Sequence, residues 1–138
     1  MSELTELYQQ VILDHNKSPR NFGKLDDPDV HVEANNPLCG DRLAMDLVLR
    51  DGLVEDVRFS GRGCAISQAS ASMLTEQLTG KSREAAEEKI EAFLEMMRTE
   101  EKEELGELAA LKGVVQTPNR IRCATLAWDA MRRALPTL

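Results

Sequence analysis

The spacing of apolar residues along the chain predicts helices at both ends and strands near the middle. Over residues 3–15 the apolar positions recur at helical spacing and predict an amphipathic helix. Its apolar stripe consists of Leu4, Leu7, Tyr8, Val11 and Ile12. A breaker-rich loop follows over residues 16–23, and a short strand is expected over residues 30–34.

A β-hairpin is predicted by two segments in which apolar and polar residues alternate. These segments cover residues 43–49 and 53–59. A two-residue turn at Asp51-Gly52 would place the two apolar sets on opposite faces of the sheet. A three-residue loop with Gly52 in the left-handed conformation instead gives two apolar pairs, Met45 with Val57 and Leu43 with Phe59. We therefore expect the three-residue loop.

The second half of the chain predicts a run of helices. The first begins near residues 64–67 and ends near Leu78. An acidic stretch with ten Glu follows over residues 81–112, and it keeps a helical stripe made of Ala86, Ile90, Phe93, Leu94 and Met97. The last helix begins at Thr117-Pro118, with Thr as the cap and Pro at the first position. Its stripe consists of Ile121, Ala124, Trp128, Met131 and Leu135.

The order of elements, a helix, a small antiparallel sheet and then helices, defines an α+β fold. The chain has 138 residues, and this length predicts a single domain over 1–138 with an acidic helical insertion at about 81–112.

Composition narrows the classes of function. The net charge is −7, which argues against nucleic-acid binding because neutralising phosphates requires clustered Lys and Arg. No run of 18 apolar residues occurs, so no membrane span is expected. Residues 1–6 lack the basic and apolar segments of a signal peptide, so we expect a cytoplasmic protein. The three cysteines, an odd number without an export signal, argue against a disulfide framework.

Candidate chemistry begins at Cys39-Gly40-Asp41. Here a thiol and a carboxylate flank a glycine, so a curled backbone can direct both side chains toward one point. Taken alone, this tripeptide is more typical of a turn whose Asp caps backbone amides.

The other two cysteines also lie beside charged residues at the ends of predicted elements. Cys64 stands at a helix start, where the helix amides and Arg62 favour a thiolate. Cys123 lies one turn into the last helix, off its main apolar stripe, with Arg120 one turn before it. Taken alone, each also fits a small residue packed at the edge of the core.

The candidate ligands are Cys39, Asp41, Cys64 and Cys123. Three thiolates and one carboxylate suit tetrahedral zinc or an iron–sulfur cluster. The spacing is not that of a zinc finger, because no Cys-x₂-Cys pair occurs. His15 or His31 could replace the carboxylate, although a helix C-terminus explains the first and a polar strand face the second.

Several runs of residues resemble the U-type iron–sulfur assembly proteins, the IscU, SufU and NifU N-terminal group. These runs are LYQQVILDH at 7–15, PRNFG at 19–23, NPLCGD at 36–41, GCAIS at 63–67 and CATLAW at 123–128. The resemblance implies a SufE/IscU-like fold, in which a small three-stranded antiparallel sheet packs against helices. It also implies that the four candidate ligands surround one metal site at a tip of the protein.

Two departures from the scaffold branch of that family favour its SufU-like branch. In the scaffold branch a His directly precedes the last Cys, whereas this chain has Arg122 there. The acidic stretch 81–112 is also longer than in the scaffold branch. The SufU-like branch implies a zinc-bound sulfur acceptor that works with a cysteine desulfurase and supplies downstream cluster assembly or acceptor proteins.

Within that interpretation, Cys39 is the expected sulfur acceptor because Gly40 gives its loop freedom to move. Arg120 and Arg122 are expected to stabilise the charged site. The alternative is a non-enzymatic scaffold that assembles and delivers a [2Fe–2S] cluster on the same ligands. A third interpretation is a zinc site that only stabilises the fold.

Overall fold

The structure, a computed structural model, describes residues 3–37, 40–98, 108, 111 and 118–135, with the side chains of 3–5, 8 and 118–120 excepted. Its helices are α1 (Glu3–Lys17), α2 (Ala65–Leu78), α3 (Arg83–Arg98) and α4 (Pro118–Ala134), and its strands are β1 (Val30–Asn36), β2 (Asp41–Arg50) and β3 (Leu53–Arg62). The predicted Thr117 cap and most of residues 99–117 lie outside the described residues.

The three strands form one antiparallel sheet in the order β1-β2-β3, and helices cover one of its faces. The predicted α+β fold is therefore confirmed. Strand β1 continues two residues beyond its predicted end, and Asn36 pairs with Asp41 at the end of the sheet where the 37–40 loop joins β1 to β2.

The turn between β2 and β3 differs from the prediction. Arg50 pairs with Leu53, so Asp51 (φ 55°) and Gly52 (φ 76°) form a two-residue turn with two positive φ angles. Such a turn matches the right-handed twist of the flanking strands. The predicted three-residue loop and its pairing of Met45 with Val57 are wrong.

A β-bulge in β3 shifts the alternation of buried and exposed residues by one, which offsets the effect of the two-residue turn. Leu49 pairs with Val54 and Val48 with Asp56, which leaves Glu55 as an extra residue on β3. Beyond the bulge, Phe59 lies opposite Met45 on the buried face. The bulge also buries Val54 in place of the predicted Leu53, which is 49% exposed.

Helix α1 confirms the first predicted helix and extends it to Lys17. Ile12 is buried and Val11 partly buried, as the stripe predicts, but Leu7 is 62% exposed. The side chains of Leu4 and Tyr8 lie outside the described residues.

Helices α2, α3 and α4 pack through an aromatic pair. Phe93 of α3 stacks on Trp128 of α4 with ring centroids 4.1 Å apart. The Trp128 indole N–H donates to Ser70 Oγ of α2 at 3.0 Å, and Ser70 Oγ donates to the backbone carbonyl of Ala124. These contacts hold α4 against α2, and α4 is the helix that carries Cys123.

All five residues of the apolar stripe predicted within the acidic stretch lie in α3 and are buried. No helix in the described part of the chain has the length and apolar character that crossing a membrane requires.

Candidate metal centre

Three of the four predicted ligands come together where the sheet meets α2 and α4. Asp41 is the first residue of β2, Cys64 caps α2, and Cys123 lies in the second turn of α4. Their donor atoms all lie within 4.8 Å of one another. Among the described residues, no other group of three His, Cys, Asp or Glu side chains meets this condition.

The carboxylate of Asp41 is only half satisfied by the protein. Its Oδ1 accepts a hydrogen bond from the backbone N–H of Cys64 at 2.8 Å. Its Oδ2 is buried and has no hydrogen-bond partner among the described residues. A buried oxygen of this kind is costly unless something else binds it. Oδ2 is therefore the atom best placed to bind a ligand from outside the chain.

Cys64 occupies the N-cap of α2 in an extended conformation, and its side chain makes no capping hydrogen bond. The thiol therefore remains available, beside helix amides that favour negative charge. Ser67 Oγ donates to the Cys64 carbonyl at 3.1 Å and lies 3.8 Å from Cys64 Sγ. Cys64 is the partly exposed member of the group, while Asp41 and Cys123 are buried.

Gly63 makes room for this arrangement. A Cβ at Gly63 would lie 3.0 Å from Asp41 Cγ, and nearer still to Asp41 Oδ1 and Ser67 Oγ. The glycine is therefore required by close packing against the carboxylate.

Cys123 is fully buried, although its position off the main stripe of α4 predicts a place at the edge of the core. The Asn36 amide donates to Cys123 Sγ at 3.6 Å. Asn36 also lies directly opposite Asp41 in the sheet. An N–H donor of this kind stabilises negative charge on sulfur and orients the side chain.

Sequence reasoning missed Asn36 because the predicted strand stops at residue 34. Continuing the alternation of Val30, Val32 and Ala34 by two residues would have placed Asn36 on the buried face.

The donor set fits a zinc ion. Zinc–sulfur bonds of about 2.3 Å and zinc–oxygen bonds of about 2.0–2.2 Å place the donor atoms of a tetrahedral site roughly 3.5–3.8 Å apart. The present separations of at most 4.8 Å need only a small contraction to reach this geometry. Cys64 and Cys123 are not joined in a disulfide bond. The predicted fourth ligand, Cys39, lies outside the described residues.

Exposed arginines flank the group in sequence. Arg62 and Arg122 are both exposed and lie within two residues of Cys64 and Cys123, respectively. The side chain of Arg120 lies outside the described residues, so the roles predicted for Arg120 and Arg122 stay predictions.

The two histidines are not part of the donor group. His15 is 1% exposed, and its Nδ1 lies 2.7 Å from Ser72 Oγ. His31 Nδ1 lies 2.6 Å from Asp46 Oδ1 on the outer face of the sheet. Both therefore have structural partners in place of a metal.

The hydrogen bond with Asp46 raises the pKa of His31 above its ordinary value of 6.5. We expect Asp46→Asn to lower this pKa, because a neutral amide replaces the negative carboxylate that stabilises the protonated ring. Stability from the pair is fully present below pH 6.5 and is lost as the pH rises through the raised pKa. Titration of the His31 ring by NMR measures its pKa in the parent chain and in the Asp46→Asn variant.

Asp56→Asn is the matched control for this titration, because Asp56 lies on the neighbouring strand and pairs with Arg58. If Asp46→Asn leaves the His31 titration where it is in the parent chain, Asp46 is not the cause of the raised pKa.

Comparison with known proteins places this geometry in context. The family described as NifU-like N terminal domain matches residues 7–137. The zinc-dependent sulfurtransferase SufU of Bacillus subtilis (strain 168) is 46% identical over 137 residues, which cover 97% of this chain and 92% of the relative. The iron–sulfur cluster assembly scaffold protein IscU of Streptococcus pyogenes serotype M1 is 42% identical over 138 residues, which cover 98% of this chain and 86% of the relative.

The same similarity holds in three dimensions. A crystal structure described as an iron–sulfur cluster assembly scaffold protein for the SUF system, from Fervidobacterium islandicum AW-1, superposes with a TM-score of 0.86 at 32% identity. The match covers 94% of this chain and 97% of the other. Because the family match and these relatives extend over nearly the whole sequence, the chain belongs to the NifU-like N-terminal domain family.

Proposed function

We propose that this chain accepts sulfur from the persulfide of a cysteine desulfurase on Cys39 and passes it on for iron–sulfur cluster assembly. One observation carries the proposal. Asp41 forms a compact group with the thiols of Cys64 and Cys123, and its buried Oδ2 has no hydrogen-bond partner in the part of the chain that the structure describes. The 46% identity to a relative named as a zinc-dependent sulfurtransferase supports the same function.

The zinc ligands in this proposal are Cys39, Asp41, Cys64 and Cys123. Bound zinc keeps cysteine sulfur in the thiolate form, which is the nucleophilic form. The oxygen of Asp41 is a harder ligand than the sulfurs and is the one that zinc holds least firmly. Arg120 and Arg122 offset the excess negative charge of three thiolates and a carboxylate.

Two of the three cysteines are held by helices. Cys64 and Cys123 belong to helix ends that pack on the core, and each has a polar neighbour at its sulfur. Both therefore suit the role of anchors. The acceptor in this proposal is Cys39, whose neighbour Gly40 has a positive φ of 71°.

The transfer step is a sulfur exchange without net oxidation. The Cys39 thiolate attacks the outer sulfur of the partner's cysteine persulfide, and a new S–S bond forms on Cys39. The S–S bond of the partner breaks, and its electron pair leaves with the partner's cysteine as a thiolate. Cys39 then carries the persulfide for the next acceptor.

The alternative function is a scaffold that holds a [2Fe–2S] cluster as cargo on the same ligands. The 42% identity to a relative named as a cluster assembly scaffold favours it. Metal analysis and visible absorption of the protein purified without oxygen separate the two functions. A colourless zinc protein supports sulfur transfer, and a coloured iron–sulfur protein supports the scaffold.

We expect Cys39→Ala to reduce the turnover of the cognate desulfurase to the level of the enzyme alone, because the attacking thiolate is gone. The measurement is alanine or sulfide release with and without the chain. Mass spectrometry of the parent chain after alkylation locates the persulfide and provides a second measurement.

A small-molecule thiol acceptor is the control that shows the desulfurase itself is active. The acceptor assignment is wrong if the alanine variant stimulates turnover as well as the parent, or if the persulfide forms on Cys64 or Cys123.

We expect Gly63→Ala to weaken zinc binding by about 10- to 100-fold, the usual effect of disturbing groups that support metal ligands. The added Cβ displaces the Asp41 carboxylate and Ser67 Oγ. Competition with a chromophoric chelator measures the affinity.

Gly80→Ala is the control, because its added Cβ lies in open space and its positive φ of 85° adds strain without a clash at the donor group. Equal zinc affinities for the two variants would show that the packing of Gly63 against Asp41 does not matter for the metal.

A further inference from the structure

Unpaired arginines concentrate around the donor group. Of the arginines whose side chains the structure describes, those without an ion pair to a described carboxylate are Arg42, Arg62, Arg122 and Arg133. All except Arg133 lie within two residues of Asp41, Cys64 or Cys123. In a chain with a net charge of −7, this is a local excess of positive charge beside the site.

Two of these arginines face each other across the sheet. Arg42 of β2 and Arg62 of β3 are directly opposite partners in the strand register, and both are exposed. Asp41 and Leu43, the neighbours of Arg42 in β2, are buried, so Arg42 lies on the face of the sheet away from the helices, and Arg62 lies opposite it. Like charges in this position destabilise a sheet. No contact within the described residues compensates for that cost.

The pair lies next to the Cys39 loop. Asn36 and Asp41, which pair with each other, are the residues at which the 37–40 loop leaves and re-enters the sheet. The next residues across the three strands are Asn35, Arg42 and Arg62. A partner segment that brings its persulfide to Cys39 therefore approaches next to both guanidinium groups.

We infer that Arg42 and Arg62 form a docking site for an acidic segment of the sulfur-donating protein, an inference that rests on the proposed function. Two adjacent guanidinium groups offer paired donors that match carboxylates in geometry as well as in charge. Carboxylates between them also remove the repulsion that the free chain carries. Binding therefore recovers free energy that the isolated sheet loses.

The test compares two double variants that change net charge equally. R42E/R62E reverses the proposed docking pair, and R50E/R133E reverses two exposed arginines elsewhere. Arg50 stands at the opposite end of β2, where its exposed ion pair with Glu55 contributes little to stability. Titration calorimetry with the cognate cysteine desulfurase, at low and at high salt, measures the dissociation constant.

We expect R42E/R62E to raise the dissociation constant about tenfold or more at low salt and to flatten its salt dependence. The control R50E/R133E is expected to change the dissociation constant and its salt dependence much less. Desulfurase turnover should show a higher KM for the R42E/R62E chain with a similar kcat at saturation, because docking is changed and Cys39 is not. The single variant R62E should match or exceed the parent Tm, because it creates an opposite-charge pair.

The inference is wrong if R42E/R62E binds as tightly as the parent, or if both double variants weaken binding equally. If charge reversal impairs folding, R42Q/R62Q tests the same point, and unchanged binding by that variant also overturns it. A parent chain that neither binds nor stimulates the desulfurase refutes the proposed function itself. Stimulation that depends on Cys39 but not on Arg42 and Arg62 refutes this inference alone.

Discussion

The hydrogen bond from the Cys64 amide to Asp41 Oδ1 joins the first residue of β2 to the cap of α2. Because it engages one carboxylate oxygen, it also fixes the direction of the other. Oδ2 is buried with no donor among the described residues, and the Asp41 carboxylate lies within 4.8 Å of two cysteine sulfurs. A capping interaction and a candidate metal-binding position are in this way made from the same side chain.

The hydrogen bond between Cys64 and Asp41 contributes to a three-residue group only because helix α4 also holds Cys123 in place. The stacking of Phe93 on Trp128, and the hydrogen bonds of Ser70 to both the indole and the α4 backbone, hold α4 against α2. Cys123 therefore reaches the site from a helix whose position is set by the packing of Trp128, five residues further along the chain. Asn36 completes the arrangement by linking the edge strand to Cys123 Sγ.

The elements of the fold could be predicted from sequence because apolar periodicity is strong in α3, α4 and the strands. The hairpin register could not, because a bulge leaves the alternation on either side intact and changes only its phase. The buried residues Val54 and Val57 are three apart, an odd spacing that marks the phase change. At the site, residue type and context identified Asp41, Cys64 and Cys123. The contact of Asn36 with Cys123 depends on tertiary packing, which local patterns do not encode.

The bulge at Glu55 also limits how this protein can change in evolution. It stands between the turn and the end of β3 that leads into Cys64, so it sets which face every later residue of β3 occupies. Insertion or deletion of a single residue in the hairpin would exchange the buried and exposed faces at that end and misdirect the chain entering α2. Length changes here preserve the site only when they come in pairs or when the bulge is lost or gained with them.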